Sequence, residues 1–190
     1  MSTVLRTRLT YEDYRQIPDD GRRYELLEGQ LHVTPAPGLE HQHVIKRLLT
    51  ILLRYFEDGG RGTVFFAPLD VILAEDDVVQ PDLVVVRDPA QLSSRGVEGA
   101  PFLLVEVTSP GRAHYDRTVK AQRYAARGVP HYWIVDPQAG RLECFRLGES
   151  QYALQAVGTG NEVVEVPDLP ALTIPLATLW LGRATTPSGP

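Results

Sequence analysis

Apolar and polar positions along this chain fall into two periods. Between about Leu39 and Phe56, apolar side chains recur at Val44, Leu48, Ile51, Leu52, Tyr55 and Phe56, the spacing of one face of an amphipathic helix, and Gly59-Gly60 stop it. A second helical stretch, Ala113 to Arg127, ends with Gly128 just past its last turn and Pro130 two residues on. A short helix starts at Thr10-Tyr11-Glu12-Asp13, where Thr10 caps and Asp13 closes the acidic first turn, and Pro18-Asp19-Asp20-Gly21 end it. Shorter β-rich runs lie between: Tyr24 to Leu27 and Leu31 to Thr34 around the turn Glu28-Gly29-Gln30, then Thr63 to Phe66, Leu69 to Leu73, the run opening at Asp82, Phe102 to Thr108, and His131 to Val135. Pro35-Ala36-Pro37-Gly38 and Asp88 to Ala100 are expected as loops, and Glu75-Asp76-Asp77 as a solvated turn. Leu142 to Leu147, Tyr152 to Val157 and Val163 to Val166 predict an antiparallel meander, Pro175 to Leu181 a last helical turn, and Pro187-Ser188-Gly189-Pro190 a frayed tail. This order predicts an α/β fold of the α+β kind: a mixed central sheet flanked by helices, with an additional C-terminal antiparallel meander.

Two of the strand-like runs carry an acid where none belongs. Phe102-Leu103-Leu104-Val105-Glu106-Val107-Thr108 is apolar nearly throughout and ends at Ser109-Pro110-Gly111, the pattern of a strand buried on both faces. An isolated carboxylate there costs on the order of several kcal/mol unless a cation, a hydrogen-bond donor or a raised pKa supports it. Asp82 poses the same problem at the head of Leu83-Val84-Val85-Val86. Alternation puts Glu106 on a face with Leu104 and Phe102, and Asp82 on a face with Val84 and Val86. One acid opens its segment and the other nearly closes its own, so they converge if the strands run antiparallel, or parallel with a register offset. Side by side they form a site for a hard divalent cation.

Asp116 and Lys120 are four apart on the second helix and share a face. Such a pair is either a surface ion pair worth about 0.3 to 0.5 kcal/mol, or a Lys aimed across the sheet end at the two carboxylates. There it orients or deprotonates a water, or stabilises charge developing on a phosphate. His41 and His43 are two apart and so point to different helix faces, which predicts solvated or capping roles rather than a metal pair. Thr108 and Gln80 are candidates for supporting hydrogen bonds. Tyr132 and Trp133 are expected in the core.

With 190 residues, 43% of them apolar, the chain is expected to form one domain over residues 1–190, with a core from about 10 to 180 and a flexible tail at 183–190. The single Cys144 excludes an internal disulfide or a thiolate metal cage and is expected as a small apolar group in a strand. Met1 to Arg8 lacks an apolar leader and no run reaches the roughly 20 apolar residues that span a membrane, so a cytoplasmic protein is expected. The net charge of −5 provides no global field for phosphates, so any nucleic-acid contact must be local. The available clusters are Arg22-Arg23, Lys46-Arg47 with Arg54, and Arg112, Arg117, Lys120, Arg123 and Arg127; the first two are expected as ordinary solvated faces.

Five elements appear in order from about residue 10 to residue 180: Tyr24-Glu25-Leu26-Leu27-Glu28-Gly29, Gln80-Pro81-Asp82-Leu83-Val84-Val85-Val86, Val105-Glu106-Val107-Thr108-Ser109-Pro110, Asp116-Arg117-Thr118-Val119-Lys120-Ala121-Gln122-Arg123-Tyr124, and His131-Tyr132-Trp133-Ile134-Val135-Asp136. Together they resemble the Uma-two family of restriction-endonuclease-like proteins, part of the wider PD-(D/E)-x-K nuclease superfamily. The resemblance implies a restriction-endonuclease-like core, Asp82 and Glu106 as ligands of Mg²⁺ or Mn²⁺, and a phosphodiester of nucleic acid, DNA foremost, as substrate. In the superfamily's usual pattern a Lys stands two residues after the Glu, but Thr108 holds that place here. Lys120 matches a Lys supplied from the following helix, and Glu25 matches an N-terminal acid that completes the metal site. The resemblance thus implies Asp82, Glu106, Lys120 and Glu25 as the catalytic set. By analogy with superfamily nucleases that cut both strands it also implies a homodimer, with the meander after Val135 as the candidate interface. The rival is a nuclease-like scaffold that binds DNA or a partner protein without cutting, favoured by the acidic charge and the lack of a recognition helix or zinc module. A carboxylate-pair glycosidase, which needs no metal, is a third reading.

Overall fold

The computed structural model describes residues 8–34, 36–111 and 113–182. The expected C-terminal tail, Pro35 of the predicted loop and Arg112 of the basic cluster lie outside the described residues.

In chain order the elements are α1 (Tyr11–Tyr14), β1 (Arg23–Leu27), β2 (Gln30–Thr34), α2 (Leu39–Phe56), β3 (Thr63–Phe66), β4 (Val71–Ala74), β5 (Asp77–Val79), β6 (Leu83–Val86), β7 (Leu92–Ser93), β8 (Gly96–Glu98) and β9 (Leu103–Val107). A helix α3 follows over 113–126, then β10 (His131–Asp136), β11 (Arg141–Leu147), β12 (Tyr152–Thr159), β13 (Val163–Glu165) and β14 (Thr173–Pro175), with a 3₁₀ turn at Leu176–Thr178. Helix α3 is not regular: Ala113–Tyr115 and Ala121–Ala126 are α-helical, and Asp116–Lys120 between them winds as a π-helix.

The central sheet has the order β12-β11-β10-β9-β6-β3 and is antiparallel except where β9 and β10 run parallel, as a pair linked through a helix must. A second sheet has the order β2-β1-β5-β4-β8-β7. The apolar stripe of α2, Val44, Ile45, Leu48, Leu52 and Phe56, packs with Leu83, Val85, Leu103, Val105 and Trp133 on one face of the central sheet. Tyr124 of α3 packs with Val84, Val86, Leu104, Tyr132 and Ile134 on the other. Strands β6, β9 and β10 are thus covered on both sides, which is why their sequences run apolar without alternating. Each fully buried Val or Leu contributes about 1.5 to 3 kcal/mol.

Local signals explain the ends. Thr10 and Asp13 form the reciprocal capping box of α1. At the end of α3 the N–H of Gly128 donates to Ala125 C=O and that of Val129 to Tyr124 C=O, both at 3.0 Å, with Gly128 at φ +78° where a side chain would be strained. The β1–β2 hairpin turns through Glu28 and Gly29, both at positive φ, as a two-residue turn matched to strand twist requires.

Four expectations need correction. Only Glu75 and Asp76 form the acidic turn; Asp77 begins β5 and is fully buried, because Arg123 and Arg127 reach its carboxylate and Glu28 N–H donates to it at 2.9 Å. The polar stretch 88–100 is not all loop: it carries a 3₁₀ turn at Pro89–Gln91, then β7 and β8, which add to the second sheet. The meander stops at β12, and β13 pairs with β14 in a separate small sheet. Phe102 lies before β9 and packs with the α2 core, away from Leu104 and Glu106.

Candidate functional site

The antiparallel register of β6 and β9 settles how the two acids meet. Leu83 faces Val105 and Val84 faces Leu104, so the next position outward brings Asp82 opposite Glu106. Directly opposed residues share a face, the one that α3 covers. Both acids are buried, 4% and 6% exposed, at the edge of a cleft of about 30 Å³ that Glu25, Thr34, His41, Gln80, Asp116 and Lys120 also line. A roomier groove of about 480 Å³ lies along α3 beside Phe145 and Tyr152 and holds no acid cluster.

Asp82 is held from several sides. Its Oδ2 accepts the N–H of Val107 at 2.8 Å and lies 3.1 Å from Nε2 of His41, and its Oδ1 is 3.8 Å from the Arg23 guanidinium. Glu106 is held by Oε1, which accepts from Lys120 Nζ at 2.9 Å and from the Tyr124 hydroxyl at 2.7 Å. Lys120 also donates to Oε1 of Glu25 at 3.0 Å, and the backbone N–H of Gln80 donates to the same oxygen at 3.0 Å. The structure therefore brings together all four acids and the Lys that the sequence singles out: Asp82 beside β6, Glu106 on β9, Glu25 on β1, and Asp116 and Lys120 on the π turn of α3. A π segment re-phases the helix after it, so the turn facing the sheet end offers Asp116 and Lys120 together, each about 5% exposed. Theirs is not a surface pair.

Burial pushes the Glu106 carboxyl up to about 8; Lys120 opposes the shift, and the charges of Asp82, Glu25 and Asp116 add to it. Lys120 is drawn the other way by its own burial, but Glu106, Glu25 and Asp116 outweigh that and hold its pKa above the usual value. An ammonium among several carboxylates stays charged.

Three residues at the site escape sequence reasoning. His41 is buried against Asp82 rather than solvated, because α2 enters over the sheet end. Arg23 is not part of a solvated face: its guanidinium donates to Gln80 C=O at 2.7 Å, while Arg22 stays outside. Tyr124 reaches Glu106 from the next turn of α3. A lone His, one Arg of a pair and an aromatic on an apolar face carry no local signal of such roles. Gln80 does support the site, while Thr108 is buried with its N–H bonded to Val135 C=O. The basic cluster on α3 is spent on the protein: Arg117 pairs with Glu143, Arg123 with Asp77 and Glu28, and Arg127 with Asp76 and Asp77.

Among the described residues, no three carboxylate, imidazole or thiolate groups stand together as a ready-made metal cage. The donor set still suits a hard cation. Oδ1 of Asp82 and Oε2 of Glu106 accept no hydrogen bond from the described residues, leaving each acid one oxygen to offer. Oγ1 of Thr34 and Nδ1 of His41, buried in the same cleft, also lack hydrogen-bond partners among them.

Comparison with known proteins bears on the family and the fold. The uncharacterized protein slr1290 of Synechocystis sp. (strain ATCC 27184 / PCC 6803 / Kazusa) is 30% identical over 120 residues, 62% of this chain and 63% of that protein's length. The crystal structure of a "putative nuclease belonging to DUF820" from Anabaena variabilis ATCC 29413 superposes with a TM-score of 0.73 at 17% identity, covering 90% of this chain and 97% of that one. At that identity the likeness is one of fold, and it covers nearly the whole of both chains. Residues 11–177 match the model of the family Uma2, described as "Putative restriction endonuclease". That span takes in every strand and helix that builds the cleft, and the chain belongs to the Uma2 family.

Proposed function

We propose that this chain is a metal-dependent nuclease that hydrolyses phosphodiester bonds of DNA, with Asp82 and Glu106 as the ligands of Mg²⁺ or Mn²⁺ and Glu25 completing the site. The observation that carries the reading is the pairing of Asp82 with Glu106 across β6 and β9, with Lys120 reaching Glu106 and Glu25 from α3. A bound divalent ion supplies Lewis-acid stabilisation of phosphate charge and a water of lowered pKa.

The protein's own groups do the positioning. Val107 N–H and His41 fix one oxygen of Asp82 and leave the other facing the cleft. Tyr124 and Lys120 fix Glu106 in the same way. Lys120 stays an ammonium in this arrangement, so it stabilises anionic charge and orients a nucleophile rather than abstracting a proton. With its carboxyl near 8, Glu106 holds a proton around neutrality that a cation in the cleft would displace.

The chain acts as one domain and, in this reading, as a homodimer whose two sites address the two strands, a state that light scattering of the purified protein tests. No helix among the described residues is long and apolar enough to cross a membrane. The buried Cys144 thiol, its pKa pushed up by burial, agrees with work in the cytoplasm.

The test is nicking of supercoiled plasmid in Mn²⁺ or Mg²⁺ by the wild type beside Asp82→Asn, each repeated in chelator. Cutting by the wild type alone, and only with metal, is expected. No cutting by either, with a gel shift retained by both, would replace the enzyme with the DNA-binding scaffold.

A further inference from the structure

We infer that the outer face of α2, continued by Arg61 and Arg87 past its C-terminal end, is the surface that holds the phosphate backbone of a DNA duplex beside the cleft. This rests on the reading of the cleft as a nuclease site and adds where its substrate is gripped.

Positive charge is not spread evenly over this acidic chain. Lys46, Arg47, Arg54, Arg61 and Arg87 have no carboxylate partner among the described residues, whereas every other described Arg and Lys lies within 3.8 Å of one. All five are exposed. Between Glu40 and Glu57, helix α2 carries Lys46, Arg47 and Arg54 and no acid. Helical spacing puts these three opposite the buried stripe of Val44, Leu48 and Leu52. Glu57, the acid nearest Arg54 in sequence, accepts the N–H of Val64 at 2.9 Å instead, and Arg47 gives one N–H to Thr178 C=O at 3.0 Å. In a chain of net charge −5, carboxylates are in excess, so a row of cations left without them forms a local positive field.

Arg61 and Arg87 are set in place by aromatic rings rather than acids. The Arg61 guanidinium lies 4.6 Å from the centre of the Tyr55 ring and donates to Tyr55 C=O at 2.8 Å; that of Arg87 lies 3.4 Å from the centre of Phe102. Gly59 leaves the space, since a Cβ there would collide with Arg61. A guanidinium laid on a ring keeps N–H groups along its edge for an anion. Burial lowers the Arg87 pKa; Tyr55 opposes that shift, and the charge of Arg61 adds to it, a repulsion that a phosphate would relieve.

The row starts at the cleft. His41, in the first turn of α2, lines the cleft, and Arg54 stands about 20 Å further along the helix axis. One strand of a duplex carries a phosphate about every 3.4 Å of its axis, so this length matches about six of them. A groove of about 480 Å³ beside Arg54, Tyr55 and Arg61, walled on the other side by Leu172, Thr173 and Pro175, gives the backbone room.

Fluorescence anisotropy of a short labelled duplex, in chelator and over a series of NaCl concentrations, tests this. The wild type is expected to bind with an affinity that falls steeply as salt rises. The double variant Lys46→Gln with Arg54→Gln removes side chains that make no hydrogen bond or ion pair with a described residue, so the fold is kept. Its slope of log affinity against log salt is expected to be shallower by about 0.9 for each cation removed. Arg87→Gln should act in the same direction, and Arg95→Gln, whose guanidinium pairs with Glu98, should leave the slope unchanged. Wild-type binding that the double variant and Arg87→Gln both retain with an undiminished slope overturns the inference and leaves the nuclease reading standing. A wild type that does not bind duplex at low salt also overturns it, and plasmid nicking by the same preparation then decides whether the nuclease reading falls with it.

Discussion

Asp82 and Glu106 face each other across β6 and β9, yet they are anchored by different kinds of donor. Asp82 is anchored by a backbone N–H, an imidazole and a distant guanidinium, Glu106 by an ammonium and a phenol. Burial pushes Glu106 up to about 8; the charges of Asp82, Glu25 and Asp116 add to that shift and Lys120 opposes it.

Asp82→Asn keeps a carbonyl for the Val107 N–H and removes the charge. Nicking activity is expected to fall at least about a hundredfold, the scale of losing one placed charge-stabilising group, with an unchanged circular dichroism spectrum. Asp82→Ala also leaves that buried N–H unpaired and is expected to cost about 1 to 3 kcal/mol in urea unfolding. An alanine variant as stable as the asparagine variant would contradict the hydrogen bond.

Lys120 holds two carboxylates that water scarcely reaches, Glu25 at 1% and Glu106 at 6% exposure. Lys120→Met should therefore destabilise the fold by about 3 to 5 kcal/mol, since it strands buried charge. Adding Glu25→Gln should recover part of that loss, with a coupling of about 1 kcal/mol or more in a double-mutant cycle. Strictly additive effects would mean that the two side chains do not depend on each other.

The raised pKa of Glu106 fixes the sign of a pH effect. Its ordinary value is 4.5 and its folded value about 8, so the folded state binds the proton more tightly. Its contribution to stability is full below about pH 4.5 and is lost as pH rises towards 8. Unfolding in metal-free buffer should show the stability of Glu106→Gln rising relative to wild type across that window. A difference independent of pH would refute the shift.

Asp77 draws α3 onto the second sheet through Arg123 and Arg127, the same sheet that carries Glu25. Asp77→Asn weakens both ion pairs while keeping an acceptor for Glu28 N–H. It is expected to lower the thermal midpoint by several degrees and to reduce nicking without altering the DNA-binding midpoint. Full activity in a thermally weakened variant would show that the clamp serves the fold alone.

The elements and the site were legible in the sequence to different depths. Asp82 and Glu106 stood out because a charge at or inside an apolar run is costly and visible, whereas the spacing of Asp116 and Lys120 fitted a surface ion pair as well as a site, and only the family resemblance singled out Lys120. The helices were legible for a similar reason, through the stripe of α2 and the Gly128 stop of α3. Strand β5 was hidden because its one charge, Asp77, looks like a turn residue until Arg123 and Arg127 arrive from about 50 residues away. His41, Arg23 and Tyr124 were hidden because what they do depends on which element lies opposite, and no periodicity records that.

Helix α3, with its π turn at Asp116–Lys120, supplies the site's ammonium, while the sheet supplies the Asp82–Glu106 pair. In consequence the spacing of the acids and the placement of the positive charge are governed by separate bodies. A change that tilts or rewinds one turn of helix can retune the charge balance with the sheet untouched, and Thr108, relieved of carrying that charge on the strand, stays buried with its N–H on Val135 C=O.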